Sequence, residues 1–150
     1  MLSRLFGFKK KDADDAAHAG DAEKYGNWSF IGTDMHSHLV PGVDDGAQTV
    51  EDSIQLIEQL RGMGYRSIIT TPHIKFDHYP NNPATINAGL HTLQQALHER
   101  NIDIPVKAAA EYYIDDHFMQ VLENEPLLTI TDNQVLVEIS FMFEPVRFGE

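Results

Sequence analysis

The sequence predicts an α/β protein in which helices cover a parallel sheet. Short apolar runs alternate with amphipathic stretches from Trp28 to Ser140, and the amphipathic stretches carry apolar residues at helical spacing. Strands alternating with helices of this length imply parallel pairing through right-handed crossovers. The predicted order is βαβαβαβ.

The elements follow one by one. Trp28 to His38 is strand-like and stops at the Pro41-Gly42 turn. Thr49 then precedes Val50, Ile54, Ile57 and Leu60, spaced i, i+4, i+7 and i+10. Asp52, three residues after Thr49, makes a capping-box start, and Gly64 is a stop, giving a helix of about three turns. A second run, 66–71, ends at Pro72-His73. Ile86, Leu90, Leu93 and Leu97 recur at helical spacing behind Asn82 as N-cap and Pro83 at the first helical position. Val106 to Tyr113 reads as the third strand. A short helix from about Asp115 to Asn124 is expected to bury Phe118, Val121 and Leu122, and Val135 to Ser140 is the fourth strand.

Composition narrows the chemistry. The 150 residues hold no Cys, which excludes disulfides, thiolate metal sites and a thiol nucleophile. Eleven Lys and Arg stand against 23 Asp and Glu, a formal charge of −12, which disfavours a nucleic-acid partner because phosphate-backbone affinity rests on cations. Four of the basic residues, Arg4, Lys9, Lys10 and Lys11, fall in residues 1–11 beside Leu2, Leu5, Phe6 and Phe8. That segment suits at most weak membrane-surface contact, being far shorter than the ~20 apolar residues of a spanning helix. It lacks the features of a signal peptide, so a cytoplasmic location is expected. Residues 1–27 read as a flexible, basic-then-acidic tail that includes a solvated His18, and 28–150 as the domain.

In parallel α/β folds the chemistry collects at the C-terminal ends of the strands. The first predicted strand ends in Asp34-Met35-His36-Ser37-His38, the second in His73, the third in Glu111 and the fourth in Glu138. Strand alternation turns His36 and His38 to one face, where a single ion can take both. Asp34 shares that parity and is placed to orient an imidazole. Asp44 and Asp45 follow in the loop above, and one of them can reach a second ion. Glu138 interrupts the apolar run Val135-Leu136-Val137 and Ile139, so a buried carboxylate is expected there, which needs a cation or strong hydrogen bonds. His nitrogen and carboxylate oxygen without sulfur suit manganese, iron or zinc in a multinuclear hydrolytic site. His91, His98 and His117 lie on helices, where surface roles are expected.

The ordered set Asp-Met-His-Ser-His (34–38), Val-Asp-Asp-Gly (43–46), Thr-Thr-Pro-His (70–73), Ala-Glu-Tyr-Tyr (110–113) and Val-Glu-Ile-Ser (137–140) resembles the polymerase and histidinol phosphatase (PHP) superfamily. More narrowly it resembles the bacterial capsular-polysaccharide tyrosine-protein phosphatases. The resemblance implies a TIM-like, seven-stranded PHP barrel, of which this chain supplies roughly the first four β/α units. It implies two or three divalent ions, commonly Mn2+ with Fe, Zn or Mg open, and hydrolysis of phosphotyrosine on a tyrosine kinase that controls capsule or exopolysaccharide export. Carried over by position, His36 and His38 bind one metal, Glu111 bridges two, Glu138 binds the second, and Asp45 and His73 serve the third. Asp45 is preferred to Asp44 because it matches the family ligand. Arg147 is a candidate phosphate contact. The alternatives are a small-molecule phosphatase, such as histidinol-phosphate phosphatase, and an inactive metal-binding remnant; the acidic balance counts against a polymerase-associated exonuclease. Family members also supply a later His and an Asp-x-His, whereas no His or Asp follows Glu138. The expectation is therefore the N-terminal portion of a longer phosphatase, in a truncated, frameshifted or partial reading frame, with too few ligands here for full sites; whether such a chain is active alone is not legible. Oligomeric state is not legible.

Overall fold

The computed structural model describes residues 26–140. The basic segment 1–11, His18, nearly all of the expected tail, and Arg147 lie outside the described residues. The elements run β1 (Thr33–Asp34), α1 (Val50–Gly62), β2 (Ser67–Thr70), β3 (His73–Ile74), α2 (Pro83–Glu99), β4 (Val106–Ala108), β5 (Glu111–Tyr113), α3 (Asp116–Asn124) and β6 (Leu136–Glu138). Every strand pair is parallel, in two sheets ordered β1-β2-β4 and β3-β5-β6.

Local signals account for the helices. Thr49 and Asp52 close a reciprocal capping box on α1. Past its C-cap Met63, Gly64 adopts φ +101°, Gly64 N–H bonds the Arg61 carbonyl and Tyr65 N–H bonds that of Leu60, which is a Schellman ending. Asn82 caps α2 by accepting from Ala84 N and Thr85 N, with Pro83 at the first position. Asp115 caps α3 through Phe118 N–H. That helix meets the core along Phe118, Met119 and Val121, and this leaves Leu122 exposed rather than buried as expected.

The strands differ more from expectation. The run 66–71 with the following His73, and the run 106–113, are each divided between the two sheets. Pro72 has no N–H to give to a ladder. Ala109 N–H still reaches the Thr70 carbonyl (2.9 Å) and Glu111 N–H the Pro72 carbonyl (3.0 Å), so the two runs stay side by side through the break. The first strand shrinks from Trp28–His38 to two residues. Before it, Trp28 N–H is taken by the Met63 carbonyl, Ile31 N–H turns back to Trp28, and Gly32 sits at φ +79°.

Two clusters of buried side chains hold the sheets. Ile54 and Ile57 of α1 and Leu93 and Leu97 of α2 pack on Ile68 and Val106. Ile86 and Phe118 pack on Ile74 and Tyr112, whose hydroxyl accepts Leu128 N–H at 2.9 Å. Each such side chain, fully buried, contributes about 1.5–3 kcal/mol. Because strand residues alternate, burying Ile74 and Tyr112 on the helix side turns His73 and Glu111 to the other face.

Candidate metal centre

His73 stands opposite Glu111 in the β3–β5 register, and Glu138 stands opposite Tyr113, one pleat on, in the β5–β6 register. His36 and His38 reach the same place from the segment after β1, their rings 5.4 Å apart. Six predicted residues converge in three overlapping groups: His36, His38 and Glu111; His38, Asp45 and His73; and His73, Glu111 and Glu138. Within each group one ligand atom per residue lies within 4.8 Å of the others.

One oxygen stands at the middle. Glu111 Oε2 lies 3.3 Å from His38 Nε2, 3.4 Å from His73 Nδ1 and 3.9 Å from His36 Nε2. His73 Nδ1 is also 3.6 Å from Glu138 Oε2, yet it is buried with no hydrogen-bond partner. Its other nitrogen, Nε2, is 3.7 Å from Asp45 Oδ1. Asp45 and Glu138 are the more open carboxylates, with side chains 63% and 37% exposed, and Glu111 is the closed one. Three imidazole nitrogens crowd one carboxylate oxygen, and each nitrogen that carries a lone pair faces that oxygen's own unless positive charge lies between them. A divalent cation among N and O donors supplies that charge, so the residues present fit a metal.

The imidazoles are held from behind. His38 Nδ1 meets Asp44 Oδ2 at 2.7 Å; Asp44 also accepts His73 N–H (2.9 Å) and Gly46 N–H (3.0 Å), and its side chain is fully buried. Burial works against ionising Asp44, but these bonds from His38 and the two amides outweigh it and hold the carboxyl below its usual range. The hydrogen bond to Asp44 raises His38 against the opposing effect of burial, with the charges of Asp44, Glu111 and Asp45 adding to the rise. Asp44 thus keeps the proton on Nδ1 and leaves Nε2 for the centre. His36 Nδ1 is held at 2.8 Å by Thr71 Oγ1.

Loop geometry completes the wall. Ala47 N–H bonds the His38 carbonyl, and a Cβ on Gly46 would collide with His38 Cβ and its carbonyl oxygen. Asn81 Nδ2 ties the Val43 carbonyl (2.8 Å) to that of His73 (2.9 Å), locking the Asp44-Asp45 loop against β3. The Tyr79 ring stacks on His73 at 5.3 Å and 11°.

Two expectations are corrected. Asp34 Oδ2 is buried without a hydrogen-bond partner, and the imidazole of His38 is oriented by Asp44 instead. Strand alternation stops applying after Asp34, where β1 ends and the chain bends through His36. Glu138 is only half-buried: among the described residues β6 lies at the edge of its sheet, with Val137 and Ile139 exposed. Thr71 and Tyr79 have no periodic signature in the sequence; the Asp pair next to Gly46 was the signal for Asp44.

Comparison with known proteins gives a consistent picture. Residues 32–147 match the family model described as capsular polysaccharide synthesis, CpsB/CapC. Tyrosine-protein phosphatase YwqE of Bacillus subtilis is 33% identical over 118 residues, 78% of this chain and 46% of that protein. Tyrosine-protein phosphatase CpsB of Streptococcus pneumoniae is 28% identical over 108 residues, 71% and 44% of the respective chains. A chain from the crystal structures of YwqE from Bacillus subtilis and CpsB from Streptococcus pneumoniae, described as unique metal-dependent tyrosine phosphatases, superposes with TM-score 0.65 at 32% identity, covering 73% of this chain and 44% of its own. The chain spans less than half the length of these relatives.

Proposed function

The chain belongs to the CpsB/CapC family of capsular polysaccharide synthesis, and from that premise we propose that it is part of a metal-dependent protein-tyrosine phosphatase. The substrate in this reading is phosphotyrosine on a bacterial tyrosine kinase that regulates capsule or exopolysaccharide synthesis, in the cytoplasm. Residues 28–150 are read as part of a PHP-type metallophosphatase domain, with the two consecutive parallel sheets as one side of a TIM-like barrel. The observation that carries the reading is the single Glu111 oxygen facing three imidazole nitrogens beside a buried, unpartnered His73 Nδ1.

His36 and His38 are the proposed ligands of one ion through Nε2, with Glu111 shared between two, Glu138 on the second, and Asp45 with His73 on a third. Manganese is the proposed metal. When bound, divalent ions supply the charge that polarises phosphoryl oxygens and eases the ionisation of water near neutral pH. The chain's own part is preorganisation. Asp44 fixes the His38 tautomer, Thr71 holds His36, and Asn81 keeps the Asp45 loop beside β3. The closed position of Glu111 against the open positions of Asp45 and Glu138 sets a buried floor under an accessible mouth.

The reading is tested by hydrolysis of a phosphotyrosine peptide and of histidinol phosphate by the Mn2+-loaded protein. Preference for the peptide is expected. Preference for histidinol phosphate overturns the substrate, and turnover of neither by protein carrying bound metal overturns catalysis by this chain. In the described residues no helix is long and apolar enough to cross a membrane.

A further inference from the structure

The candidate centre consists of carboxylates and imidazoles, and a phosphomonoester brings further negative charge to it. The cations among the described residues are few. Arg100 pairs with Glu51 at 2.8 Å. Arg61 lies in the last turn of α1 and Arg66 just before β2, at the strand ends away from the centre, and Lys107 is exposed on β4 of the other sheet.

Lys75 is placed differently. It directly follows β3, two residues beyond His73, and Tyr113 lies two beyond Glu111. The intervening Ile74 and Tyr112 are buried in the core, so Lys75 and Tyr113 share the face of His73 and Glu111. Lys75, Tyr113 and Glu138 form the row next to His73 and Glu111, about 6–7 Å further along the strands. A four-carbon stem covers that distance. Lys75 Nζ sits 3.8 Å from the Tyr113 ring centroid and makes no ion pair among the described residues. Its backbone is anchored by paired hydrogen bonds with Tyr79, Lys75 N–H to the Tyr79 carbonyl (2.9 Å) and Tyr79 N–H to the Lys75 carbonyl (2.8 Å), and the Tyr79 ring covers His73.

Resting on the phosphatase reading above, we propose that Lys75 is a substrate-binding residue whose ammonium donates to the phosphoryl oxygens of the phosphomonoester, with Tyr113 holding its stem at the rim of the centre. The charge balance follows directly: among the described residues Lys75 is the cation in the row beside His73 and Glu111, and it meets the dianion that Glu111, Glu138 and Asp45 would otherwise repel.

Calorimetric binding of inorganic phosphate to the metal-loaded protein tests this, alongside KM and kcat on a phosphotyrosine peptide. Lys75→Met is expected to weaken phosphate about tenfold or more, the loss of one charge-assisted hydrogen bond, and to raise KM with metal content unchanged. Lys75→Arg keeps the charge and the aromatic contact and is expected to stay near wild type. Unchanged phosphate affinity in Lys75→Met overturns the proposal. Equal losses in the Met and Arg variants, or loss of metal from both, overturn it too by making Lys75 a structural residue. Should the wild type hydrolyse no phosphomonoester, the phosphatase reading fails while the phosphate affinities still decide Lys75.

Discussion

Replacing Asp44 with Asn tests whether the centre is held by a residue that is not itself among the proposed ligands. In the wild type Asp44 Oδ2 takes bonds from His38 Nδ1 and His73 N–H, and Oδ1 takes one from Gly46 N–H. Asparagine offers one acceptor oxygen. If that oxygen keeps the first two partners, its amide faces the Gly46 N–H donor to donor, and the bond to His38 loses its charge. A hydrogen bond to a charged group is worth about 1.5–3 kcal/mol, and a buried unsatisfied donor costs about 1–3 kcal/mol. The terms overlap, so Asp44→Asn should destabilise the metal-free protein by about 2–4 kcal/mol, read by urea unfolding in chelator. Loss of such a supporting partner should also weaken Mn2+ binding about 10–100-fold by calorimetry. The pH dependence follows from the shifts. The carboxyl of Asp44 is depressed, so its contribution is present above the unfolded value of about 3.9 and is lost as pH falls through the folded value. His38 is raised, so its contribution is complete below about 6.5 and is lost as pH rises through the folded value. The gap between wild type and variant should therefore be widest between about pH 4 and 6.5, and the His38 titration seen by NMR should move down in the variant. A stability change under about 0.5 kcal/mol at pH 5.5 with unchanged Mn2+ affinity would refute the reasoning.

Two more variants separate fold from site. Gly46→Ala drives a methyl group into the His38 backbone, so it should cost about 1–3 kcal/mol in thermal unfolding and lower metal affinity together; an unaltered melting temperature would contradict the close approach. Glu138→Gln alters a half-exposed side chain on an edge strand, so stability should change by less than about 0.5 kcal/mol while metal stoichiometry by elemental analysis falls; full stoichiometry would remove Glu138 from the ligand set.

What the sequence revealed depended on how local the signal was. Thr49, Gly64, Asn82 and Pro83 mark helix ends through contacts within a turn, and α1 begins and ends, and α2 begins, where those residues indicate. Strand boundaries depend on partners elsewhere in the chain. The apolar run to Tyr113 gave no sign that it would split at Ala109-Ala110 beside Pro72, because the division belongs to the pair of strands and not to either alone. The convergence of His36, His38, Asp45, His73, Glu111 and Glu138 was legible because parallel runs bring their late residues side by side, although the break at Pro72 and Ala109-Ala110 leaves His73 and Glu111 opening β3 and β5 and not closing a strand. The support of His38 was not. It comes from Asp44, six residues on through a loop, and neither helical nor strand periodicity reports such a contact. Glu138 misled for a related reason: apolar neighbours suggest burial, but β6 is the edge strand among the described residues and leaves Val137 and Ile139 exposed.

The most direct test of the account is elemental analysis of wild type and Glu111→Ala, purified side by side in Mn2+. With Glu111 Oε2 common to all three imidazoles, the wild type should retain divalent ion through gel filtration and Glu111→Ala should lose most of it. Equal metal content in the two proteins, or none in the wild type, would contradict the centre described.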